Sequence, residues 1–331
     1  MSTVLVTGGA GYVGSHAVKV LAAAGFEVVV LDSLVNGHRE AVSEYVLVEA
    51  DVSDTAVVRE TIRRHAVTAV LHFAAFLSVG ESVQAPVRYY DNNVRKTLAL
   101  LESVVEESVR RFVFSSTAAV YGTPHDVPIV EDHPTRPINA YGQTKLAIEH
   151  ALPHYETAYG LRYTCLRYFN AAGADPSGEL GEDHRPEIHL IPLALAAAAG
   201  ARPPLEIFGD DYPTTDGTCE RDYVHVTDLA QAHVLALGRL AAGAQSTSYN
   251  LANGRAYSVR DVLDSVERVV GQPVPCHVVG RRSGDPAVLV ASSQRAREEL
   301  GWAPRFEAID DIVRTAWQWR RTHPAGYRSR P

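Results

Sequence analysis

Tyr141-Gly142-Gln143-Thr144-Lys145 sets a phenol and an ammonium four residues apart, on one face of a helix. A phenol with a pKa near 10 is a weak base at neutral pH, and a neighbouring cation favours its phenolate. Such a pair suits general acid–base work on a hydroxyl, with Tyr141 moving the proton and Lys145 tuning it. Surface helices produce the same spacing, but this chain makes the match improbable. Only three of its 31 basic side chains are lysines (Lys19, Lys96 and Lys145), so its 15 tyrosines give roughly 0.1 chance matches. A chain that otherwise uses arginine places an ammonium here, and the two cations differ in shape and pKa. Upstream, a strand runs into Phe114-Ser115-Ser116-Thr117, where Thr117 offers a hydroxyl to the oxygen that Tyr141 deprotonates, or to the resulting carbonyl.

A second constellation supplies a place for a nucleotide. Thr7-Gly8-Gly9-Ala10-Gly11-Tyr12-Val13-Gly14 follows an apolar run and opens a helical one. Glycines there permit a tight turn and close backbone approach, so a pyrophosphate can meet free N–H groups and the positive helix end. Asp32 follows Gly14 by 18 residues and ends the second apolar run, where a carboxylate accepts both adenosine ribose hydroxyls. A 2′-phosphate beside that carboxylate would be repelled, so NAD is expected rather than NADP. Asp51, after the third run, either bonds the adenine amino group or caps the next helix.

The elements that position these residues alternate in type. Apolar strands are expected at residues 3–7, 27–31, 45–48, 68–73, 111–115 and 162–167, and helices at 12–24, 55–65, 86–107 and 141–159. This is the pattern of an α/β fold with a doubly wound parallel, Rossmann-type sheet. After Asn170 the pattern loosens through a Gly/Asp/Pro-rich stretch at 173–186, then a helix at 189–199, scattered short strands and a last helix at 308–322. A smaller α/β substrate-binding C-terminal domain is therefore expected. Residues 1–170 read as the NAD-binding domain, completed by segments near 221–245, where 221–226 and the helix after it return to the first sheet. Residues 171–331 read as mainly substrate-binding.

Composition excludes several classes. At 46% hydrophobic and 21% charged the chain reads as globular, and no apolar run approaches the length of a membrane span. The opening residues reach the Gly-Gly turn without a basic leader, so a cytoplasmic protein with no membrane partner is expected. Cys165, Cys219 and Cys276 are too widely spaced to suggest a disulfide framework or a zinc site, and no metal is expected. A net charge of -8 argues against nucleic acid, so an anionic ligand needs a local basic pocket.

With these residues placed, the chain resembles the extended short-chain dehydrogenases and, within them, the UDP-glucose (UDP-galactose) 4-epimerases. The stretches that carry the resemblance include VTGGAGYVGSH (6–16), HFAAFLSVGES (72–82), YYDNNV (89–94), FSSTAAVYG (114–122), YGQTK (141–145), LRYFNAAGADPSGELGED (166–183) and IFGDDYPTTDGTCERDYVHVTDLA (207–230). The resemblance implies oxidation at C4 of a UDP-hexose, a 4-keto intermediate that turns in the site, and hydride return to its other face. It implies cofactor contacts at Gly8, Gly11, Tyr12, Val13, Gly14, Asp32, Asn36, Asp51, Val52, Phe73, Ala74, Asn92 and Lys145. It implies substrate contacts at Thr117, Asn170, His189, Leu190, Phe208, Arg221, Arg282, Asp285 and Leu289, with Arg221 and Arg282 neutralising the pyrophosphate. A homodimer through the helices at 86–107 and 141–159 is implied as well.

Three positions depart from other members. Leu77 stands where some epimerases carry a lysine that touches the NAD phosphates, and Thr117 stands where others have serine. At Leu289, side-chain size is associated with room for an N-acetyl group, and an intermediate side chain keeps amino-sugar substrates open. Epimerases of other UDP-sugars, pentoses or uronates included, are one rival. Sugar-nucleotide 4,6-dehydratases, a second, carry Asp-Glu after the threonine, where this chain has Ala118-Ala119. An NAD-binding protein without chemistry is a third, opposed by the intact Thr117, Tyr141 and Lys145.

Overall fold

The computed structural model describes residues 2–282 and 286–327, so the expected contact Asp285 lies outside the described residues. The first half lays down β1 (Thr3–Thr7), β2 (Glu27–Asp32), β3 (Val46–Glu49), β4 (Val67–His72), β5 (Arg111–Thr117) and β6 (Arg162–Tyr168). The chain then makes short strands, β7 (Asn170–Ala172), β8 (Leu205–Phe208), β9 (Glu220–Arg221) and β10 (Tyr223–His225), before β11 (Thr247–Leu251) returns to the sheet edge. The parallel sheet has seven strands in the order β11-β6-β5-β4-β1-β2-β3.

Helices cover both faces, which is why the strands are apolar at consecutive positions rather than at alternate ones. Along β1, Val4 and Val6 face α1 (Tyr12–Ala23) and a later helix (Val226–Ala241), packing with Val18, Leu21, Leu229 and Leu237. Leu5, between them, faces the opposite way, toward α2 (Thr55–Arg64) and two further helices, through Val58, Ile62, Leu100, Leu101, Ile148 and Leu152. The remaining helices of the first half are α3 (Val79–Gln84), α4 (Pro86–Tyr90), α5 (Lys96–Glu106) and α6 (Ala140–Tyr159).

The expected helix over 86–107 forms as one unbroken helical run, with α4 and α5 joined by a π-helical turn at Asp91–Arg95 that its sequence pattern did not show. The wider turn accompanies a buried amide. Asn93 accepts from the Phe76 N–H at 2.9 Å, donates to the Phe76 carbonyl at 3.0 Å and donates to Thr144 Oγ1 at 3.2 Å, tying the loop after β4 to α6.

The second lobe holds α7 (Leu190–Ala198), α9 (Val259–Val270) and α11 (Ile309–Thr322), with α8 (Val226–Ala241) and α10 (Gln294–Leu300) returning to the sheet. Its own core joins Ile191, Leu195, Ile207, Tyr223, Val262, Val266, Ile312 and Val313. The expected return near 221–226 is corrected in detail. β10 pairs with β7, α8 packs beside α1, and β11 is what rejoins the main sheet, against β6. Thr247-Ser248-Tyr249-Asn250-Leu251 carries only two apolar residues, so its strand signal is weak.

Candidate active site

The site forms at the carboxyl ends of the sheet strands, where a doubly wound fold leaves a crevice. One cavity of about 1170 Å³ is lined by Gly8, Asp32, Phe73, Thr117, Tyr141 and Lys145, and reaches Asn170, His189, Phe208 and Leu289 in the second lobe. The other expected contacts line the same cavity: Gly11, Tyr12, Val13, Gly14, Asn36, Asp51, Val52, Ala74, Asn92, Leu190, Arg221 and Arg282.

At one end the chain offers a cradle for a pyrophosphate. Gly8 has φ +72°, and a Cβ there would stand 2.4 Å from the Ala74 nitrogen; one on Gly14 would stand 2.2 Å from the Gly8 carbonyl oxygen. No side chain fits between the turn and the loop after β4. Gly11 caps α1 without a side-chain bond, which leaves the first N–H groups of that helix to an anion. Asp32 Oδ2 accepts from Ala10 N–H at 2.9 Å and Oδ1 from Leu34 N–H at 2.8 Å, and each oxygen keeps a lone pair for a ribose hydroxyl. Burial pushes this carboxyl up, and those two backbone bonds oppose the shift. These features fit a dinucleotide.

The helix-cap reading of Asp51 is corrected. Asp54 caps α2 by accepting from Val57 N–H at 3.2 Å, whereas Asp51 accepts from the N–H and hydroxyl of Ser53 and from Lys96 Nζ at 2.5 Å. Leu77 lines this part of the cavity, as does Lys96.

At the centre, Asn139 caps α6 by accepting from Gly142 N–H at 2.8 Å, which fixes the helix start one turn around Tyr141. Burial raises the Tyr141 phenol, and a hydrogen bond from the Thr117 hydroxyl lowers it. Lys145 lies one turn on, buried, donating to the Ser115 carbonyl at 2.8 Å with its ammonium 5.0 Å from the Phe114 ring centre. Desolvation brings Lys145 down to about 7, against the pull of Glu149. The Lys145 ammonium is thus held by the Ser115 carbonyl of β5, one helical turn from Tyr141, while the Thr117 hydroxyl acts on the phenol.

Beneath the pair is a buried network. Arg167 and Glu149 meet at 2.5 Å, Ser116 donates to Glu149 at 2.5 Å, and Arg167 reaches the Tyr121 hydroxyl at 2.9 Å. Tyr121 in turn donates to Asn250 at 2.7 Å, so β5, β6, α6 and β11 share one polar knot.

The second lobe supplies the far wall. Arg282 stacks its guanidinium 4.2 Å from the centre of the Phe208 ring, which occupies the face expected to meet a base. Arg221 donates to the Glu220 and Pro286 carbonyls at 2.9 Å each, and Asn170 donates to the Asp222 carbonyl at 3.0 Å. His189 ends the loop before α7, and Leu190 opens that helix.

Sequence reasoning passed over Glu182, His184 and Glu187, which gather with His189 on the cavity wall. Against burial, the carboxylates hold His184 up at about 9 and His189 up at about 10. The alternation of Glu and His through GEDHRPEIH was the available signal. Ser115 and Tyr168, hydrogen-bonded to each other across β5 and β6, were likewise unforeseen.

Comparison with known proteins places this geometry. The model of the NAD dependent epimerase/dehydratase family matches residues 4–252. The UDP-glucose 4-epimerase of Halalkalibacterium halodurans is 51% identical over 324 residues, covering 98% of this chain and 97% of that one. The crystal structure of UDP-glucose 4-epimerase from Brucella ovis in complex with NAD is 50% identical, with a TM-score of 0.94 over 96% of this chain and 98% of that one. The Bifidobacterium longum enzyme, solved with NAD+ and UDP, is 37% identical with a TM-score of 0.94, covering 98% of this chain and all of that one (100%).

Proposed function

The chain belongs to the NAD dependent epimerase/dehydratase family, and from that premise we propose that it interconverts UDP-glucose and UDP-galactose by transient oxidation at sugar C4. The observation that carries this reading is the convergence of Thr117, Tyr141 and Lys145 on the cavity that also receives the glycine turn and the second-lobe wall. NAD, held by the glycine turn and Asp32, would supply the acceptor for the C4 hydride and its return to the opposite face, so no external redox partner would be needed. Tyr141 accepts the O4 proton and later returns it, and the Thr117 hydroxyl stabilises the phenolate and then the C4 carbonyl.

The 4-keto sugar must turn over between the two transfers, so the chain has to hold the nucleotide firmly and the hexose loosely. Binding energy remote from the reacting carbon meets that demand. Asn170, Leu190, Phe208, Arg221 and Arg282 line the second-lobe wall and serve as the grip on uridine diphosphate, the two guanidinium groups supplying positive charge within an acidic chain. The dehydratase reading loses its acid and base, because Ala118 and Ala119 present only methyl groups after Thr117.

A second reading, 4-epimerisation of other UDP-sugars, is favoured by one observation: Leu289 lines the cavity with a side chain of intermediate size. Incubating the purified protein with UDP-galactose and following UDP-glucose in a coupled assay tests the main reading. No turnover of any UDP-hexose by protein that retains NAD would overturn it. Parallel product profiles with UDP-N-acetylgalactosamine and UDP-pentoses test the second.

The reading extends to a homodimer in the cytoplasm. Val79, Val83, Val87 and Tyr90 leave an exposed apolar surface on α3 and α4, beside α6, which supports self-association through these helices. Cys165, Cys219 and Cys276 are free thiols, which suits a reducing compartment. No helix among the described residues is long and apolar enough to cross a membrane.

A further inference from the structure

Between β7 and α7, the loop Gly181 to His189 folds back so that four metal-ligating side chains meet. One ligand atom from each of Glu182, His184, Glu187 and His189 lies within 4.8 Å of the other three. His189 Nδ1 is 2.5 Å from Glu182 Oε1 and 3.5 Å from Glu187 Oε1, and His184 Nδ1 is 3.1 Å from Glu182 Oε1 and 3.7 Å from Glu187 Oε2. A tetrahedral ion with bonds of about 2.0–2.1 Å needs ligand-to-ligand separations of roughly 3.3 Å. Most of these distances are already near that value. Three of the four side chains are sheltered, Glu182 at 7%, His184 at 14% and Glu187 at 19% exposed, and His189 at 37% forms the open side.

We propose that Glu182, His184, Glu187 and His189 form a structural zinc site that locks the loop before α7. Two imidazole nitrogens and two carboxylate oxygens are a set of four that leaves no position open for water or substrate, which suits a structural rather than a catalytic zinc ion. Nitrogen ligands disfavour calcium and magnesium, and the two carboxylates neutralise a divalent charge.

Two features separate this cluster from an ordinary pair of ion pairs. His184 Nδ1 is buried and makes no well-formed hydrogen bond, although Glu182 Oε1 lies 3.1 Å away. A central ion would satisfy that atom; an imidazolium–carboxylate pair leaves it unmet. Glu187 is also preset by the backbone. Its Oε1 accepts from the N–H groups of Ile188 at 2.8 Å and His189 at 2.9 Å, which leaves Oε2 turned to His184.

The location gives the site its task. Tyr12 of the glycine turn sets its ring edge-on to His184 at 6.1 Å, and Leu190 begins α7 directly after the last ligand. A bound ion would thus fix the second-lobe wall against the dinucleotide turn. The four ligands share the catalytic cavity and His189 is also an expected substrate contact, but zinc uptake does not depend on turnover: loss of the epimerase reading would leave it as it is.

The test uses the full-length protein with its NAD. After treatment with a chelator and its removal, titration with zinc chloride is expected to show one ion per chain with a Kd below about 1 µM and a rise in Tm. Crystals soaked in zinc are expected to show an anomalous peak between the four side chains. His184→Ala and Glu187→Gln are each expected to weaken uptake by at least about 100-fold, with circular dichroism unchanged. Should His184→Ala not fold, Glu187→Gln and the wild-type titration decide. No stoichiometric uptake by the wild type, an anomalous peak elsewhere, or undiminished uptake by Glu187→Gln would overturn the site and leave two imidazolium–carboxylate pairs.

Discussion

At the scale of single residues, Thr117 and Tyr141 divide one proton transfer between them. Tyr141→Phe keeps the ring and removes the base, so kcat is expected to fall on the order of 10²–10⁴-fold while NAD stays bound; the coupled assay and the absorbance of released cofactor check both halves. Thr117→Ala acts differently. The Thr117 hydroxyl lowers the Tyr141 pKa, so its loss raises it, and the ionised base then appears only at higher pH. The rising limb of kcat/KM against pH is expected to move to higher pH, with a loss on the order of 100-fold at neutrality. A limb that stays in place would remove Thr117 from the proton transfer. The Tyr141–Lys145 spacing was legible because i and i+4 are local geometry. Where the Lys145 ammonium goes was not, since its acceptor, Ser115, lies on another element and is set by packing.

At the scale of elements, two contacts carry the site. In the glycine turn, Gly14→Ala would drive a methyl to 2.2 Å from the Gly8 carbonyl, so the variant is expected to purify without NAD and with a lowered Tm. Gly160→Ala is the control: it has φ +70° but nothing within 4 Å, and should cost only about 1–2 kcal/mol with NAD retained. In the knot under Tyr141, Glu149→Gln leaves the Arg167 guanidinium buried without its counter-charge, and urea unfolding is expected to show a loss of about 3–5 kcal/mol. The strands of the first half were legible from their apolar runs, and so was the helical run of α4 and α5, but not the π-helical turn that joins them. That turn hangs on Asn93, whose partners lie in a loop 17 residues earlier and on α6. β11 was missed because Thr247, Ser248 and Asn250 dilute its pattern, and its place is decided by pairing with β6.

At the scale of the whole molecule, the apolar surface of α3 and α4 is the feature that the single chain does not explain. Val87 is 83% exposed, and Val87→Asp puts a charge into any interface built there. Wild-type protein is expected to sediment as a dimer and the variant as a monomer; a variant that remains dimeric would move the interface elsewhere. The order of the sheet has a different consequence. Because α8 and β11 come from beyond residue 170 yet complete the sheet, and α9 then departs again into the second lobe, the chain passes repeatedly between its two halves. Neither half can be cut out as a cassette, since removing the residues after 170 takes an edge strand and a covering helix from the sheet. Exchange of the second lobe as a block is therefore expected to unfold the sheet, and a change of substrate preference to be reached through single side chains on the cavity wall, such as Leu289.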